Sequence, residues 1–208
     1  MDIYKEPMLF KHFLTEKECE CLINISKNRM TPSSIGRGSS DNVRVSNTAV
    51  FDNLKDNIAR RITSRISTIF QVPFHELEGL QVTHYETNGF YRPHLDVNLQ
   101  SDGPLADHRG RYITFIIGLN DDYEGGKTNF INLENKSFRI PKGGILMFRS
   151  TDVNNCIDLS SKHEGQRVTK GEKWIATMWG HGPCYLKNSL DDLLKIDLGQ
   201  TEVKECDN

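Results

Sequence analysis

Two histidines and an aspartate constrain this chain more than any run of secondary structure. His94 and Asp96 stand two residues apart in Tyr91-Arg92-Pro93-His94-Leu95-Asp96, and His163 follows 67 residues after Asp96 (163 − 96). On a strand, residues i and i+2 face the same way, so the imidazole of His94 and the carboxylate of Asp96 converge on one point. Two imidazoles and one carboxylate, with no cysteine in either motif, make up the donor set of the facial triad. That set holds an Fe(II) ion while leaving the other positions of a six-coordinate metal open. Three protein donors and an open position also describe catalytic zinc, and the residues alone leave both metals open.

Short apolar runs separated by turn signals fill the second half of the chain. Leu80 to Glu86 and Tyr91 to Asp96 read as strands joined at Thr87-Asn88-Gly89. Arg111 to Leu119 is a β-branched run expected to be a buried strand. Thr128 to Leu133, Ser137 to Ile140, Gly144 to Phe148 and Trp174 to Gly180 continue the series, with Pro141-Lys142-Gly143-Gly144 as a turn. Upstream, Met8 to Phe13 reads as a short strand, and Thr15-Glu16-Lys17-Glu18 is a capping box opening a helix through about Lys27. Thr31 to Asn42 is a Gly/Ser loop of a length suited to a lid. Arg44 to Phe51 reads as a strand, and Leu54, Ile58, Ile62, Ile66 and Ile69 mark one amphipathic helix. The pattern predicts an α+β, mainly β chain: a closed or double-sheet core with N-terminal supporting helices. Residues 1–186 are expected to form a single domain, and 187–208 an extension that is a short helix or a frayed tail.

The site residues and their spacing resemble the prolyl 4-hydroxylases, a branch of the Fe(II)- and 2-oxoglutarate-dependent dioxygenases. The resemblance runs from about Leu9 to Tyr185. It is carried by Tyr85, Tyr91, His94-Leu95-Asp96, Gly125-Gly126-Lys127-Thr128, Pro141-Lys142-Gly143 and His163 through Trp174, with Lys173 ten residues after the distal histidine. It implies a double-stranded β-helix, or jelly roll. It also implies Fe(II) on His94, Asp96 and His163, and 2-oxoglutarate held by Lys173 with Tyr85 and Thr128. Tyr91, Arg44 and Trp179 are then expected at the substrate pocket. An inward-facing Lys173 fits this reading, because a lysine in that apolar run calls for an anion to pair with.

The reaction implied is hydroxylation of proline at C4 in a proline-rich or collagen-like peptide, using O2 and 2-oxoglutarate and releasing succinate and carbon dioxide. L-ascorbate is the expected reductant. Such peptides are pre-organised as polyproline II and lose little entropy on binding. Where the family carries Pro in His-x-Gly-x-Pro-Val, this chain has Arg167. If Arg167 faces the groove, it is expected to favour acidic flanking residues together with Arg92. Two further readings remain: the same cofactors acting on another protein side chain or a small molecule, and a non-catalytic module that binds proline-rich partners.

Charge and composition exclude other classes. Lys+Arg number 26 against Asp+Glu 28, with no basic run of the kind that nucleic-acid binding requires. No stretch stays apolar for the roughly 18 residues of a membrane helix. The cysteines at 19, 21, 156, 184 and 206 are odd in number and irregular in spacing, which does not read as a disulfide framework. No signal-peptide pattern opens the chain. The expectation is a monomer or weak dimer, cytoplasmic or otherwise intracellular, or in the secretory-pathway lumen if an N-terminal signal has been removed.

Overall fold

A computed structural model describes residues 6–33, 43–97, 109–152 and 157–185. Residues 34–42 of the Thr31 to Asn42 loop and the extension over 187–208 therefore lie outside the described residues.

The chain opens with β1 (Met8–Phe10), then α1 (Glu16–Lys27). Thr15 caps α1: its Oγ1 accepts from the Glu18 amide and the Glu18 carboxylate accepts from the Thr15 amide, closing the capping box. β2 (Thr31–Pro32), β3 (Arg44–Val45), β4 (Asn47–Phe51) and α2 (Asn57–Phe70) complete the N-terminal part. The barrel follows: β5 (Leu80–Tyr85), β6 (Phe90–His94), β7 (Arg109–Gly118), β8 (Glu124–Gly125), β9 (Thr128–Phe130), β10 (Lys136–Phe138), β11 (Ile145–Arg149), β12 (His163–Gly165), β13 (Val168–Lys170) and β14 (Lys173–Tyr185).

The strands form a seven-stranded sheet ordered β1-β11-β7-β14-β5-β4-β2 and a five-stranded sheet ordered β10-β9-β12-β6-β3, with β13 and β8 as a small third pair. All their pairings are antiparallel. This is the mainly β, jelly-roll arrangement that the sequence predicts.

Strand alternation divides the apolar residues of the large sheet between two cores. Phe115 and Ile117 of β7, Ile145 and Met147 of β11, and Ala176 and Met178 of β14 pack with Leu22 of α1 and Ile62 and Ile66 of α2. Their neighbours Ile116, Leu146, Phe148 and Ile175 point the other way, joining Phe130 and Val168. The helices thus cover one face of the large sheet, and the other face lines the interior where the site lies. The Pro141-Lys142-Gly143 turn is pressed against the segment before α1. Gly143 has φ +74, a Cβ there would stand 2.3 Å from the Leu14 carbonyl oxygen, and the Leu14 amide donates to Gly143 O at 2.9 Å.

Three expectations change. The predicted strand from Arg44 to Phe51 breaks at Ser46, and its halves enter different sheets: β3 pairs β6, whereas β4 pairs β5. The second helix starts at Asn57, so Leu54 lies outside it and is 72% exposed, and Ile69 is 56% exposed. Its buried stripe is instead Ala59, Ile62, Thr63 and Ile66, an i, i+3, i+4, i+7 pattern. The third change is that β6 ends at His94, leaving Asp96 beyond the strand.

Glu18 also ties the two helices together. Arg65 on α2 donates to both Glu18 oxygens, at 2.7 and 3.1 Å, and to Phe13 O at 2.8 Å. The Arg65 hydrogen bonds lead in holding the Glu18 carboxyl down from 4.5 to about 2. Because this pKa is lowered on folding, the interaction contributes fully above the unfolded value and fades as pH falls toward the folded one. At about 1.4 kcal/mol per unit, reduced for partial exposure, it is worth roughly 2 kcal/mol. Glu18→Gln is therefore expected to lower stability by about that amount at neutral pH. It should also flatten the loss of stability between pH 4.5 and about 2. Denaturant titrations at neutral and acid pH check both.

Candidate active site

His163 is the second point around which the barrel closes. β12 is three residues long and pairs on one side with β6 and on the other with β9, which sets His163 opposite both His94 and Phe130. The donor atoms of His94, Asp96 and His163 all lie within 4.8 Å of one another. His94 Nε2 is 3.4 Å from Asp96 Oδ1, and His163 Nε2 is 3.8 Å from Asp96 Oδ2.

Each side chain of this cluster has a partner that orients it. His94 Nδ1 donates to Arg92 O at 2.8 Å and His163 Nδ1 donates to Ser161 O at 2.9 Å. A carbonyl only accepts, so in both rings Nδ1 carries a proton and Nε2 is the nitrogen turned to the cluster. The Thr114 hydroxyl donates to Asp96 Oδ2 at 2.8 Å. Burial pushes His163 down to about 4, outweighing the opposing pull of Asp96, so it is a neutral donor at ordinary pH. Burial alone would raise the Asp96 carboxyl. His163, His94 and the Thr114 hydrogen bond outweigh that and hold it well below the usual carboxylate range. Two imidazoles and an anionic oxygen facing one point fit a divalent metal with open positions.

The cluster opens into a cleft of about 480 Å³, solvent at its mouth included. Lys173, first residue of β14 and cross-strand partner of Tyr85, projects into it. Lys173 is 3% exposed, its Nζ lies 5.3 Å from the Tyr85 ring centre, and no carboxylate among the described residues forms an ion pair with it. Burial first, and the nearby Arg139 charge second, push its amine down to about 8. Gly126 makes room for this lysine: its φ is +61, and a Cβ there would lie 3.1 Å from Lys173 Cδ. Thr128, two residues on and 3% exposed, lines the same wall. A buried cation beside hydroxyls and lacking an anion fits a dicarboxylate entering from the metal side.

The other wall carries Tyr91, Arg44 and Trp179. The Tyr91 ring stacks on His94 with centroids 3.6 Å apart, and the Arg44 guanidinium covers Tyr91 at 4.7 Å. Arg44 is held by hydroxyls, donating to Ser46 at 2.8 Å and Thr83 at 3.3 Å. Trp179 lies under the Arg111 guanidinium at 3.8 Å, and Arg111 is paired with Glu78 at 2.7 Å. The indole Nε1 of Trp179 is buried and has no hydrogen-bond partner among the described residues.

The structure gathers nine of the ten expected residues around one cleft: His94, Asp96, His163, Lys173, Tyr85, Thr128, Tyr91, Arg44 and Trp179. Arg167 is the exception. It donates to Asn88 O at 2.7 Å and stacks over Phe90 at 4.5 Å, clamping the β5–β6 turn instead of facing the groove. Thr83, Thr114, Ile116, Ile175 and Thr177 were not singled out from the sequence, yet Thr114 touches Asp96 and the others line the cleft. Period-2 alternation within the predicted strands is the signal that groups Thr114 with Ile116 and Ile175 with Thr177.

Comparisons with known proteins agree with this geometry. Residues 80–181 match the 2OG-Fe(II) oxygenase superfamily. The chain is 32% identical over 194 residues to "Probable prolyl 4-hydroxylase 10" of Arabidopsis thaliana, covering 82% of this chain and 67% of that protein. It is 30% identical over 184 residues to a protein of Acanthamoeba polyphaga mimivirus that carries the prolyl 4-hydroxylase name, covering 86% and 75%. Among solved structures, the viral collagen prolyl hydroxylase of Paramecium Bursaria Chlorella virus-1, in its 2OG complex, matches with a TM-score of 0.67 at 24% identity, covering 85% of this chain and 96% of that one.

If Lys173 anchors the co-substrate, affinity for 2-oxoglutarate should hold below pH 8, where the amine is charged, and fall as pH rises through about 8. Lys173→Ala should weaken it roughly a hundredfold at neutral pH, the scale of a lost charged hydrogen bond. Calorimetric titration of the Mn(II)-loaded protein across that pH range checks both expectations.

Proposed function

This chain belongs to the prolyl 4-hydroxylase branch of the 2OG-Fe(II) oxygenase superfamily, and from that premise we propose that it hydroxylates proline at C4 in proline-rich or collagen-like peptides. It is an Fe(II)- and 2-oxoglutarate-dependent dioxygenase. The observation that carries the proposal is the pairing, within one cleft, of a two-histidine, one-aspartate cluster with a buried lysine that has no carboxylate partner among the described residues.

In this reading His94 Nε2, an Asp96 oxygen and His163 Nε2 hold the iron. When bound, Fe(II) supplies oxygen activation coupled to oxidative decarboxylation of 2-oxoglutarate, the oxidising power needed to break a C–H bond. The protein's own share is orientation and exclusion of water. Lys173 pairs with the distal carboxylate of 2-oxoglutarate, with the Tyr85 and Thr128 hydroxyls beside it. Ile116 and Ile175 give the cleft apolar walls, which keep the charge pairing strong. On the substrate side, Tyr91, Arg44 and Trp179 form the wall along which a peptide would lie. A proline-rich segment suits such a groove, because it presents carbonyls in a fixed extended form.

The test is mass spectrometry of short proline-rich peptides incubated with the protein, Fe(II), ascorbate and 2-oxoglutarate. One added oxygen on proline, with matching succinate and loss of both in His163→Ala, is the expected result. Succinate release with unmodified peptides would leave the cofactors and move the substrate to another side chain or a small molecule. Iron binding with no turnover of either kind would favour a peptide-binding module.

A further inference from the structure

We propose that Thr114 is a positioning residue for the metal centre, its buried hydroxyl fixing the one ligand that the backbone leaves unsupported. The proposal rests on the metal-site reading above. His94 and His163 each lie in a strand, and each is anchored locally through Nδ1 to a carbonyl two residues back. Asp96 has neither support. It follows β6 by two residues, so no ladder sets the direction of its side chain. Its hydroxyl anchor comes from Thr114, 18 residues later, on the large sheet opposite.

The anchor itself is rigid. Thr114 is 0% exposed and sits within β7, opposite Phe148 of β11 and Trp179 of β14, so both flanks are held by ladders. Its branched Cβ restricts χ1. An ionised carboxylate can only accept, so the hydroxyl must donate. That donation engages one lone pair of Oδ2, the oxygen 3.8 Å from His163 Nε2, and leaves Oδ1, 3.4 Å from His94 Nε2, untouched by the hydroxyl. Holding Oδ2 in this way disfavours bidentate use of the carboxylate, which keeps the remaining positions of a metal free for co-substrate and oxygen. Outer partners of this kind typically change metal affinity ten- to a hundredfold when lost.

Thr114→Val removes the hydroxyl at nearly constant shape, and Thr114→Ser restores it. The probe is Mn(II) alone, titrated into the full chain without co-substrate, with free Mn(II) read by electron paramagnetic resonance. Thr114→Val should raise the Mn(II) dissociation constant about tenfold or more, and should change the visible spectrum of the Co(II)-loaded protein. Thr114→Ser should stay close to wild type in both. Circular dichroism checks folding, and Thr114→Ala replaces the valine variant if valine disturbs it. Equal affinities for wild type and Thr114→Val, or equal losses in the valine and serine variants, would overturn the assignment to Thr114 while leaving the metal site standing. A wild-type chain that binds no Mn(II) would instead overturn the metal-site reading.

Discussion

The register of β12 is the constraint on which the site depends. Three residues pair with β6 on one edge and β9 on the other, and only this alignment places His163 inside, against His94. A strand has period 2, so a slip of one residue would turn His163 outward and present Glu164 in its place. The register is secured by neighbouring contacts and not by the length of β12. His163 packs edge-on to Phe148 and near Phe130, and Gly165 lies against Tyr91, where a Cβ would stand 3.6 Å from Tyr91 Cβ.

A second dependence follows from the two-faced large sheet. The apolar residues of its central strands divide between the helix-side core and the interior core that surrounds the cleft, so the site lies directly against the sheet. Polar groups facing the cleft must therefore satisfy one another or await a ligand. Asp96 is satisfied by its imidazole neighbours and Thr114, and Arg44 by hydroxyls. Lys173 faces the same cleft with no carboxylate ion-paired to it among the described residues. That buried cation marks the place for an anionic ligand.

Much of this was legible in the sequence, though not always for the right reason. His94 and Asp96 do converge, but strand alternation is only half the cause, since the strand stops at His94 and a threonine on the opposite sheet turns the aspartate inward. Thr114 stayed hidden because β7 is buried on both faces; in Tyr112-Ile113-Thr114-Phe115-Ile116 no polar–apolar alternation says which parity faces the site. The break at Ser46 was also invisible, because Arg44 to Phe51 is uniformly strand-like and only the sheet each half joins divides it. Leu54 and Ile69 matched a helical period that the helix-side core is too short to use. Arg167 drew notice because it stands four residues after the distal histidine, where the family carries proline. Its guanidinium instead finds a carbonyl and an aromatic face on the β5–β6 turn.

The two tryptophans carry a last consequence. They are the only two in the chain, five positions apart on β14, and an odd separation puts them on opposite faces of the large sheet. Trp174 stacks on His84 and belongs to the helix-side core, whereas Trp179 borders the cleft. The protein thus contains a matched pair of optical probes. Emission from Trp179 senses what enters the cleft, while Trp174 senses the integrity of the layer behind it, so replacing either one with phenylalanine separates ligand arrival from loosening of the fold in a single fluorescence trace.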